Sequence, residues 1–414
     1  MKKKALVLGL ASLILAGALL SGCGIVSSGA QSTESVGANP AGQSDAVSTA
    51  TSLPAVSTAA TSAEAESELF SKRDLAQTAD MSEATFITLT DSETVTITEA
   101  GVYVLSGSAK EAQVAVKAGD EDKVQLVLDG LRITNSGKPC ILVESADKVF
   151  LTSAEGSENT LTVSGKFSGD EDAVIFSRDD LVLNGLGAVT VSSTKDGIRT
   201  NDDLKLTGGT WNVTAANTAV KAHDSILACD GVYKLTAGSD GLHAEDNDDD
   251  STGSILIRGG SFTVKAGDDG VHATTAVTVN GGTLSIQAAE GVEATQVIVN
   301  DGELSITATD DGINAGRKSK SLSVKIEISG GKVTIAMGAG DTDGIDSNGD
   351  LIITGGVIDI TGQSPFDYDG SCTYTGGTII VNGQETNTVT NQMMGGHMGG
   401  QGGGPGGGFG GKRG

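Results

Sequence analysis

Between about residue 83 and residue 383 the chain alternates apolar and polar positions in short stretches that end at Gly pairs or Asp-Gly pairs. In the clearest unit, an alternating stretch at 260–264 leads to Asp-Gly-Val-His-Ala at 269–273, and the same arrangement starts again at Gly282 and at Gly302. Alternation with period two predicts β-strands, and Gly pairs and Asp-Gly pairs predict tight turns. This part of the chain is therefore predicted to be all-β.

The acidic residue that precedes the Gly of each turn marks a repeat. It occurs at Asp196, Asp240, Asp269, Glu290, Asp311 and Asp343. The steps are 44, 29, 21, 21 and 32 residues, and the longer ones contain a degenerate turn at 218–222 or insertions at 246–252 and 316–323. A fixed period of this length is typical of solenoids. Because three short strands and their turns need about 21 residues, we predict a right-handed parallel β-helix with coils of about 21–22 residues.

Alternation also assigns the faces of the predicted strands. The apolar position that follows the Gly pair recurs at Trp211, Tyr233, Phe262, Leu284, Leu304 and Val333. All six should point into the core, including the single Trp. Aromatic platforms for neutral sugars are therefore not expected at these positions.

Stacked coils would turn the repeat into a row of acids about 4.8 Å apart. The candidate metal ligands in this row and beside it are Asp240, Asp246, Asp268, Asp269, Glu290, Asp310, Asp311 and Asp343. Carboxylate oxygens bind Ca²⁺ at about 2.3–2.6 Å, so one ion fits between carboxylates of neighbouring coils. The alternative interpretation is that each Asp-Gly pair serves only as a turn.

The outward position three residues after each acid forms a second row. Its candidate ligand-binding residues are Arg199, Lys221, His243, His272, Glu293 and Asn314, and Asp346 follows them. The two His residues are candidate metal ligands, although a solvated polar column is the alternative. The acidic insertion 245–250, which directly follows His243, is a second candidate calcium-binding segment, without the spacing of an EF-hand loop.

Charge limits the possible partners. The chain has 27 Lys and Arg against 53 Asp and Glu, a net charge of −26. Nucleic acid is not expected as a partner because phosphate binding depends on Lys and Arg, and the charge also argues against a polybasic membrane contact. Cations, and anionic polymers bridged by cations, fit this charge. Cys140, Cys229 and Cys372 are odd in number and far apart, so a disulfide scaffold is not expected.

The two ends differ in composition from the repeats. Residues 1–22 have a positive start and an apolar stretch, and Leu20-Ser21-Gly22-Cys23 resembles a lipobox, which predicts a lipoprotein signal peptide and lipidation of Cys23. Residues 23–80 predict a disordered stalk rich in Ser, Thr and Ala, and residues 386–414 a disordered Gly- and Met-rich tail. The β-helix domain then spans 81–385. We expect the chain on the extracellular face of a cell membrane, on a Gram-positive surface, held there by its lipid anchor alone.

Several segments resemble a family of bacterial extracellular carbohydrate-binding β-helix proteins. They are residues 101–107, 124–130, 157–161 and the run from 267–273 through 310–315. The resemblance covers about residues 83–383. It implies a pectate-lyase-like fold, calcium binding, and non-catalytic binding of polygalacturonate-like or cellulosic chains. It aligns the Asp-Gly acids and their neighbours but assigns no calcium ligand individually.

Three functions remain open on the sequence. The first is a monomeric, calcium-bearing module in which Ca²⁺ bridges protein carboxylates to an anionic polysaccharide. The second is a pectate-lyase-like eliminase, which needs Ca²⁺ and an Arg or Lys base. The available bases are Arg199, Lys221, Arg258 and Arg317. The third is a structural surface adhesin without a glycan ligand.

Overall fold

A computed structural model describes residues 69–246, 248–338 and 342–392 of the chain. The predicted signal peptide, Cys23 and most of the predicted stalk and tail lie outside these residues. Between Thr85 and Thr386 the described regular elements are thirty β-strands, so the predicted all-β class is confirmed. In the part of the chain that the structure describes, no helix has the length and apolar character needed to cross a membrane.

The strands form three parallel ladders, because each strand pairs with the strand that occupies the same place in the next repeat. The first ladder contains β1 (Thr85–Thr88), β3 (Gly101–Lys110), β5 (Lys123–Asn135), β7 (Lys148–Ser153), β10 (Asp180–Gly185), β13 (Leu204–Ala215), β15 (Ser225–Ala237), β17 (Ser254–Ile257), β19 (Asp269–Ala288), β20 (Glu290–Ala308), β22 (Lys325–Ile328), β25 (Asp350–Ile353) and β28 (Cys372–Tyr374). The long strands also continue into the other ladders.

The second ladder joins the later parts of β3, β5, β13, β15, β19 and β20 to β8 (Glu158–Val163), β11 (Ala188–Ser193), β18 (Ser261–Lys265), β23 (Lys332–Met337), β26 (Val357–Thr361) and β29 (Thr378–Val381). The third ladder joins the first residues of β19 and β20 to β2 (Thr94–Ile97), β4 (Gln113–Lys117), β6 (Ile141–Ser145), β9 (Ala173–Ser177), β12 (Asp196–Thr200), β14 (Val220–Ala222), β16 (Leu242–Ala244), β21 (Ile313–Ala315), β24 (Asp343–Ser347) and β27 (Ser364–Tyr368). Each repeat thus adds one strand to each ladder in turn.

The register reproduces the period read from the sequence. Val271 pairs with Val292 and Val292 with Ile313, two steps of 21 residues on the third ladder. The turn predicted to be degenerate keeps its place, because Val220 pairs with Ile198 on one side and with Leu242 on the other. Thr218 therefore stands where other repeats carry an acid.

The core follows from the alternation within each strand. In β18 Phe262 and Val264 are buried, whereas Ser261, Thr263 and Lys265 are exposed. The predicted inward column is confirmed: Trp211, Tyr233, Phe262, Leu284, Leu304 and Val333 are paired in sequence and no more than 1% exposed. The rings of Tyr233 and Phe262 stack with centroids 4.8 Å apart. The indole of Trp211 donates a hydrogen bond to the Gly208 carbonyl, which satisfies its only polar atom in the core.

The Gly that follows each acid is required by close packing between coils. A Cβ atom on Gly291 would lie 2.3 Å from the carbonyl oxygen of Gly312 in the next coil and 2.4 Å from Cγ2 of Ile306. Gly270 and Gly312 meet the next coil in the same way. The Asp-Gly pair therefore lies at a tight corner where the backbones of successive coils are in contact.

Residues 69–80 correct the predicted boundary of the stalk, since they lie against the first ladder. Asp74 is fully buried, with Oδ2 2.9 Å from Nζ of Lys205 and Oδ1 3.8 Å from Nζ of Lys148. The guanidinium of Arg73 lies 4.5 Å from the ring centroid of Phe150. These few apolar and charged residues anchor the segment. The composition of the whole predicted stalk does not reveal them, because Ser, Thr and Ala are so abundant in it.

The C-terminal end differs from the rest of the sheet. β30 (Gln384–Thr386) pairs with β29 in antiparallel register, after a turn in which Asn382 and Gly383 have φ values of 51° and 75°. Two residues with positive φ are typical of a tight hairpin. Residues beyond it still contact the fold, as Asn391 donates a hydrogen bond to the Tyr368 carbonyl, so the folded part extends past the predicted boundary at residue 385. Cys140, Cys229 and Cys372 form no disulfide.

Candidate functional site

The third ladder aligns the acids that the repeat predicted. Asp269 pairs with Glu290, and the pairing of the following Val and Ile residues places the other acids in line. The aligned carboxyl groups belong to Asp240, Asp269, Glu290, Asp311 and Asp343. We call this set the acid row.

The second row runs beside the acid row on the same ladder. Its members pair one after another in the order Arg199, Lys221, His243, His272, Glu293, Asn314, Asp346 and Asp367. We call Arg199 and Lys221 the basic end, His243 and His272 the histidine centre, and Asp346 and Asp367 with the adjacent Asp311 and Asp343 the acidic end. The chemistry of the ladder therefore changes from cationic to anionic along its length.

Several acids use one carboxylate oxygen to accept a hydrogen bond from a backbone N–H of the next coil. Oδ1 of Asp240 accepts a hydrogen bond of 3.2 Å from the backbone N–H of Asp269, and Oδ1 of Asp311 accepts one of 3.1 Å from Asp343. Asp196 does the same for Thr218. The turn interpretation and the ligand interpretation are compatible at Asp240, because its second oxygen, Oδ2, contacts His243 in the second row.

The histidine centre contacts both rows. Nδ1 of His243 lies 2.7 Å from Oδ2 of Asp240, and Nδ1 of His272 lies 2.7 Å from Oδ2 of Asp269. The two rings are parallel within 9°, with centroids 4.6 Å apart. Nε2 of His243 also lies 3.1 Å from Oε2 of Glu245, in the insertion after β16. Burial opposes ionisation of Asp240, but the hydrogen bonds from His243 and from the Asp269 backbone, together with electrostatic attraction to the two His rings, outweigh burial and lower the pKa of Asp240.

Glu293 joins the histidine centre to the acidic end. Its carboxylate lies 2.9 Å from Nδ1 of His272 and 2.5 Å from Nζ of Lys318, which extends from the second insertion. Asn314 donates a hydrogen bond of 3.0 Å to Glu290. Burial together with the charge of Glu293 nevertheless raises the pKa of Glu290 to about 7.

The acidic end concentrates negative charge. Burial and the neighbouring carboxylates Asp311, Asp367 and Asp343 raise the pKa of Asp346 to about 7. The same two effects raise the pKa of Asp311 to about 6. Oδ1 of Asn314 and Oδ1 of Asp367 are buried and accept no hydrogen bond from the described residues. This end therefore combines crowded carboxylates with oxygens that lack a donor.

The remaining candidate acids lie beside the rows. Asp268 and Asp310 precede the row acids and are exposed. Asp246 is in the first insertion and accepts a hydrogen bond from the backbone of Asp248. The two insertions touch, because the backbone N–H of Lys320 donates to Oδ2 of Asp250 at 2.9 Å. They place charged side chains along the edge of the histidine centre.

The basic end is held by its own partners. Nη1 of Arg199 lies 2.9 Å from Oδ1 of Asp172, and its guanidinium lies 5.5 Å from the centroid of Phe176. Four steps along the second row separate Arg199 from Glu293. Among the described residues, the candidate base Arg199 thus lies away from the acidic end.

Two contributors to the site, Glu245 and Asp367, were not predicted from the sequence as site residues. Glu245 was read only as part of an acidic insertion. Asp367 lies 21 residues after Asp346, so the period alone locates it, but Ser364-Pro365 replaces Asp-Gly in that repeat. A further acidic group on the first ladder, Asp180, Asp202 and Asp203, was also missed. There, burial and the charge of Asp180 raise the pKa of Asp202 to about 7.

These features define a class: an all-β protein of stacked parallel strands that presents a strip of charged and polar side chains along one ladder. Residues 91–341, more than half of the chain, match the family described as "Carbohydrate-binding domain-containing protein", and the chain belongs to that family. A "Carbohydrate-binding domain-containing protein" of Acetivibrio thermocellus is 41% identical over 128 residues, which cover 29% of this chain and 45% of that protein. The chain thus spans less than half the length of this relative.

A solved structure is also similar to this chain. It is described as the polysaccharide lyase-like protein from C. thermocellum, in a gadolinium derivative. The sequences are 31% identical, the TM-score is 0.48, and the alignment covers 53% of this chain and 96% of that one.

Proposed function

We propose that the chain is a non-catalytic module that binds an acidic, polygalacturonate-like polysaccharide through Ca²⁺ held at the acidic end of the third ladder. Family membership supports a carbohydrate ligand. The observation that carries the choice of site is the acidic end itself, where Asp346 pairs with Asn314 on one side and with Asp367 on the other.

A calcium ion suits the acidic end for two reasons. It accepts six to eight oxygen ligands in flexible geometry, and this end offers carboxylates together with the buried amide oxygen of Asn314, which has no hydrogen-bond donor among the described residues. A cation would also relieve the repulsion that raises the pKa of Asp346 and Asp311. Open positions on the ion would then take carboxylates of the sugar chain, which explains how a chain with a net charge of −26 binds an anionic polymer.

Binding is favoured over elimination by the position of the candidate base Arg199. A lyase needs a base within hydrogen-bond reach of the proton beside the uronate. Arg199 is engaged with Asp172 at the opposite end of the second row from Asp346. The proposed calcium ligands and this base would therefore contact different sugar residues.

We expect the purified chain to be retained on insoluble polygalacturonate in the presence of Ca²⁺ and released by excess chelator. The double variant Asp346→Asn with Asp367→Asn should reduce retention at least about tenfold, because it removes two charged oxygen ligands while keeping the side-chain shapes. The measurement is the bound fraction at increasing polymer concentration, while the ultraviolet absorbance of the supernatant is followed.

Asp359→Asn is the control, since it makes the same kind of substitution once on the second ladder at β26 and should leave retention unchanged. Retention that resists the chelator would refute the calcium bridge. Release of an unsaturated, ultraviolet-absorbing product would identify a lyase instead. Retention on an immobilised protein but on no polysaccharide, including cellulose, would indicate an adhesin.

Two further parts of the proposal concern the whole chain. Cys23 carries the lipid that holds the domain outside the cell membrane, as its lipobox-like sequence indicates. Mass spectrometry of the membrane fraction should then find a diacylglyceryl group on Cys23, and a Cys23→Ser chain should be recovered without lipid.

The three ladders wind in a right-handed β-helix, because parallel crossover connections are nearly always right-handed. An experimental structure that shows left-handed coils would overturn this assignment.

A further inference from the structure

The histidine centre has an arrangement that the acidic end lacks. His243 and His272 lie in adjacent coils with parallel rings, and each ring is held at Nδ1 by the Asp three residues earlier. Because both rings are held by the same atom, their Nε2 atoms lie on the same edge of the stack. A carboxylate on one imidazole nitrogen fixes the tautomer that leaves the other nitrogen available to a metal ion.

Glu245 supplies a third donor at this edge. Its Oε2 lies 3.1 Å from Nε2 of His243, and one ligand atom each of His243, Glu245 and His272 lie within 4.8 Å of one another. In a tetrahedral zinc site with bonds of about 2.0–2.1 Å, neighbouring ligand atoms are about 3.3 Å apart. The His243–Glu245 pair, at 3.1 Å, is close to this spacing, and the ligand atom of His272 lies within 4.8 Å of both.

We propose that His243, His272 and Glu245 bind a zinc ion, or a divalent ion of similar chemistry, across two adjacent coils of the third ladder. Asp240 and Asp269 act as positioning residues through the two rings. Two imidazoles and one carboxylate favour zinc over calcium, which prefers oxygen ligands alone. The site is separate from the acidic end and does not depend on the proposed polysaccharide function.

The charges around the rings suit a divalent cation. They comprise four carboxylates and two ammonium groups, from Asp240, Glu245, Asp269, Glu293, Lys221 and Lys318. With neutral imidazoles this set carries two net negative charges. A divalent ion bound at the rings would neutralise this charge.

The test is calorimetric titration of the full chain with Zn²⁺, supported by the visible spectrum of added Co²⁺, whose absorption reports tetrahedral coordination. We expect one site with His243 and His272 as ligands, so that His243→Ala with His272→Ala abolishes it. Glu245→Gln, in the insertion, should raise the Kd at least about tenfold. Asp240→Asn should raise it about 10–100-fold while the ladder stays folded, a change that a purely structural role of Asp240 would not cause.

The control is the double variant His223→Ala with His397→Ala, which removes the other two His residues of the chain and should leave the Kd unchanged. Loss of zinc binding in this control, or an unchanged Kd in Glu245→Gln, would overturn the proposal. Absence of binding to the unmodified chain would show that the cluster is an ion-pair network only. Asp346→Asn with Asp367→Asn should leave zinc affinity intact, so failure here and failure of calcium-dependent retention are distinguishable.

Discussion

Gly291→Ala should lower the thermal midpoint of unfolding by roughly 6–12 °C, equivalent to about 3 kcal/mol. The added methyl group would lie 2.3 Å from the Gly312 carbonyl oxygen of the next coil and 2.4 Å from Cγ2 of Ile306. Neither neighbour is the flexible end of a long side chain, so the coils must separate locally. The measurement is thermal unfolding followed by far-ultraviolet circular dichroism.

Gly316→Ala provides the matched control. Its new Cβ atom would lie 3.8 Å from the nearest atom, Oδ1 of Asn314, which is ordinary contact. Its effect should stay within about 0.5 kcal/mol, because such a site lacks the mechanisms that destabilise strongly. Equal midpoints for the two variants would mean that the corner Gly is not needed for close approach of the coils.

Asp74→Ala should cost about 3–5 kcal/mol, because removal of one partner leaves a buried charge uncompensated. The side chains of Lys205 and Lys148 are only 12% and 15% exposed, and Lys205 also donates to the Leu69 carbonyl. The segment 69–80 should then detach from the first ladder. Limited proteolysis at Lys72 and Arg73, together with the thermal midpoint, measures both effects.

The contribution of Asp74 should also depend on pH. Burial opposes its ionisation, but the hydrogen bonds from Lys205 and Ser71 and the charge of Lys148 outweigh burial and lower the pKa of Asp74 below 3.8. Its stabilisation is therefore fully present above the pKa of an unfolded Asp, about 3.9, and is lost as the pH falls through the lower folded value. The difference between the unmodified chain and Asp74→Ala should stay constant from neutral pH to about pH 5 and shrink below about pH 4.

Asp80→Ala is the control for the Asp74 prediction. Asp80 belongs to the same segment but is exposed and bonds to Ser82, two residues away. It should cost less than about 1 kcal/mol. If it destabilises the chain as much as Asp74→Ala, the buried ion pairs are not what attaches the segment.

Much of the fold could be predicted because it repeats. Alternation fixed the inward column from Trp211 to Val333, and the spacing of the acids fixed the register that aligns Asp269 with Glu290. The same alternation and the same acid-Gly corner recur in every coil, so together they predict the strands of each coil and their alignment in a ladder. Features that occur once lack this support, and Asp74 meets Lys205 across 131 residues with no repeat to indicate the contact.

The site was predictable in position but not in detail. The two rows followed from the period. The contacts of Asp240 with His243 and of Asp269 with His272 did not, because they depend on side-chain rotamers and on the bend of the backbone at the corner. Glu245 lies at the start of the first insertion, two residues after His243, and Lys318 reaches Glu293 from the second insertion. Insertions break the period, and so the contacts they bring are the part of the site that pattern alone misses.

The short strand β30 has a consequence for self-association. A parallel ladder that stops at its last strand offers unpaired N–H and C=O groups, which act as a template for another chain. β30 runs antiparallel along the outer edge of β29 and places the exposed Gln384 and Glu385 at that end of the second ladder. A second chain that approached this ladder would meet a three-residue, charged edge strand instead of β29, and short charged edges are a means by which natural sheets discourage fibre-like growth.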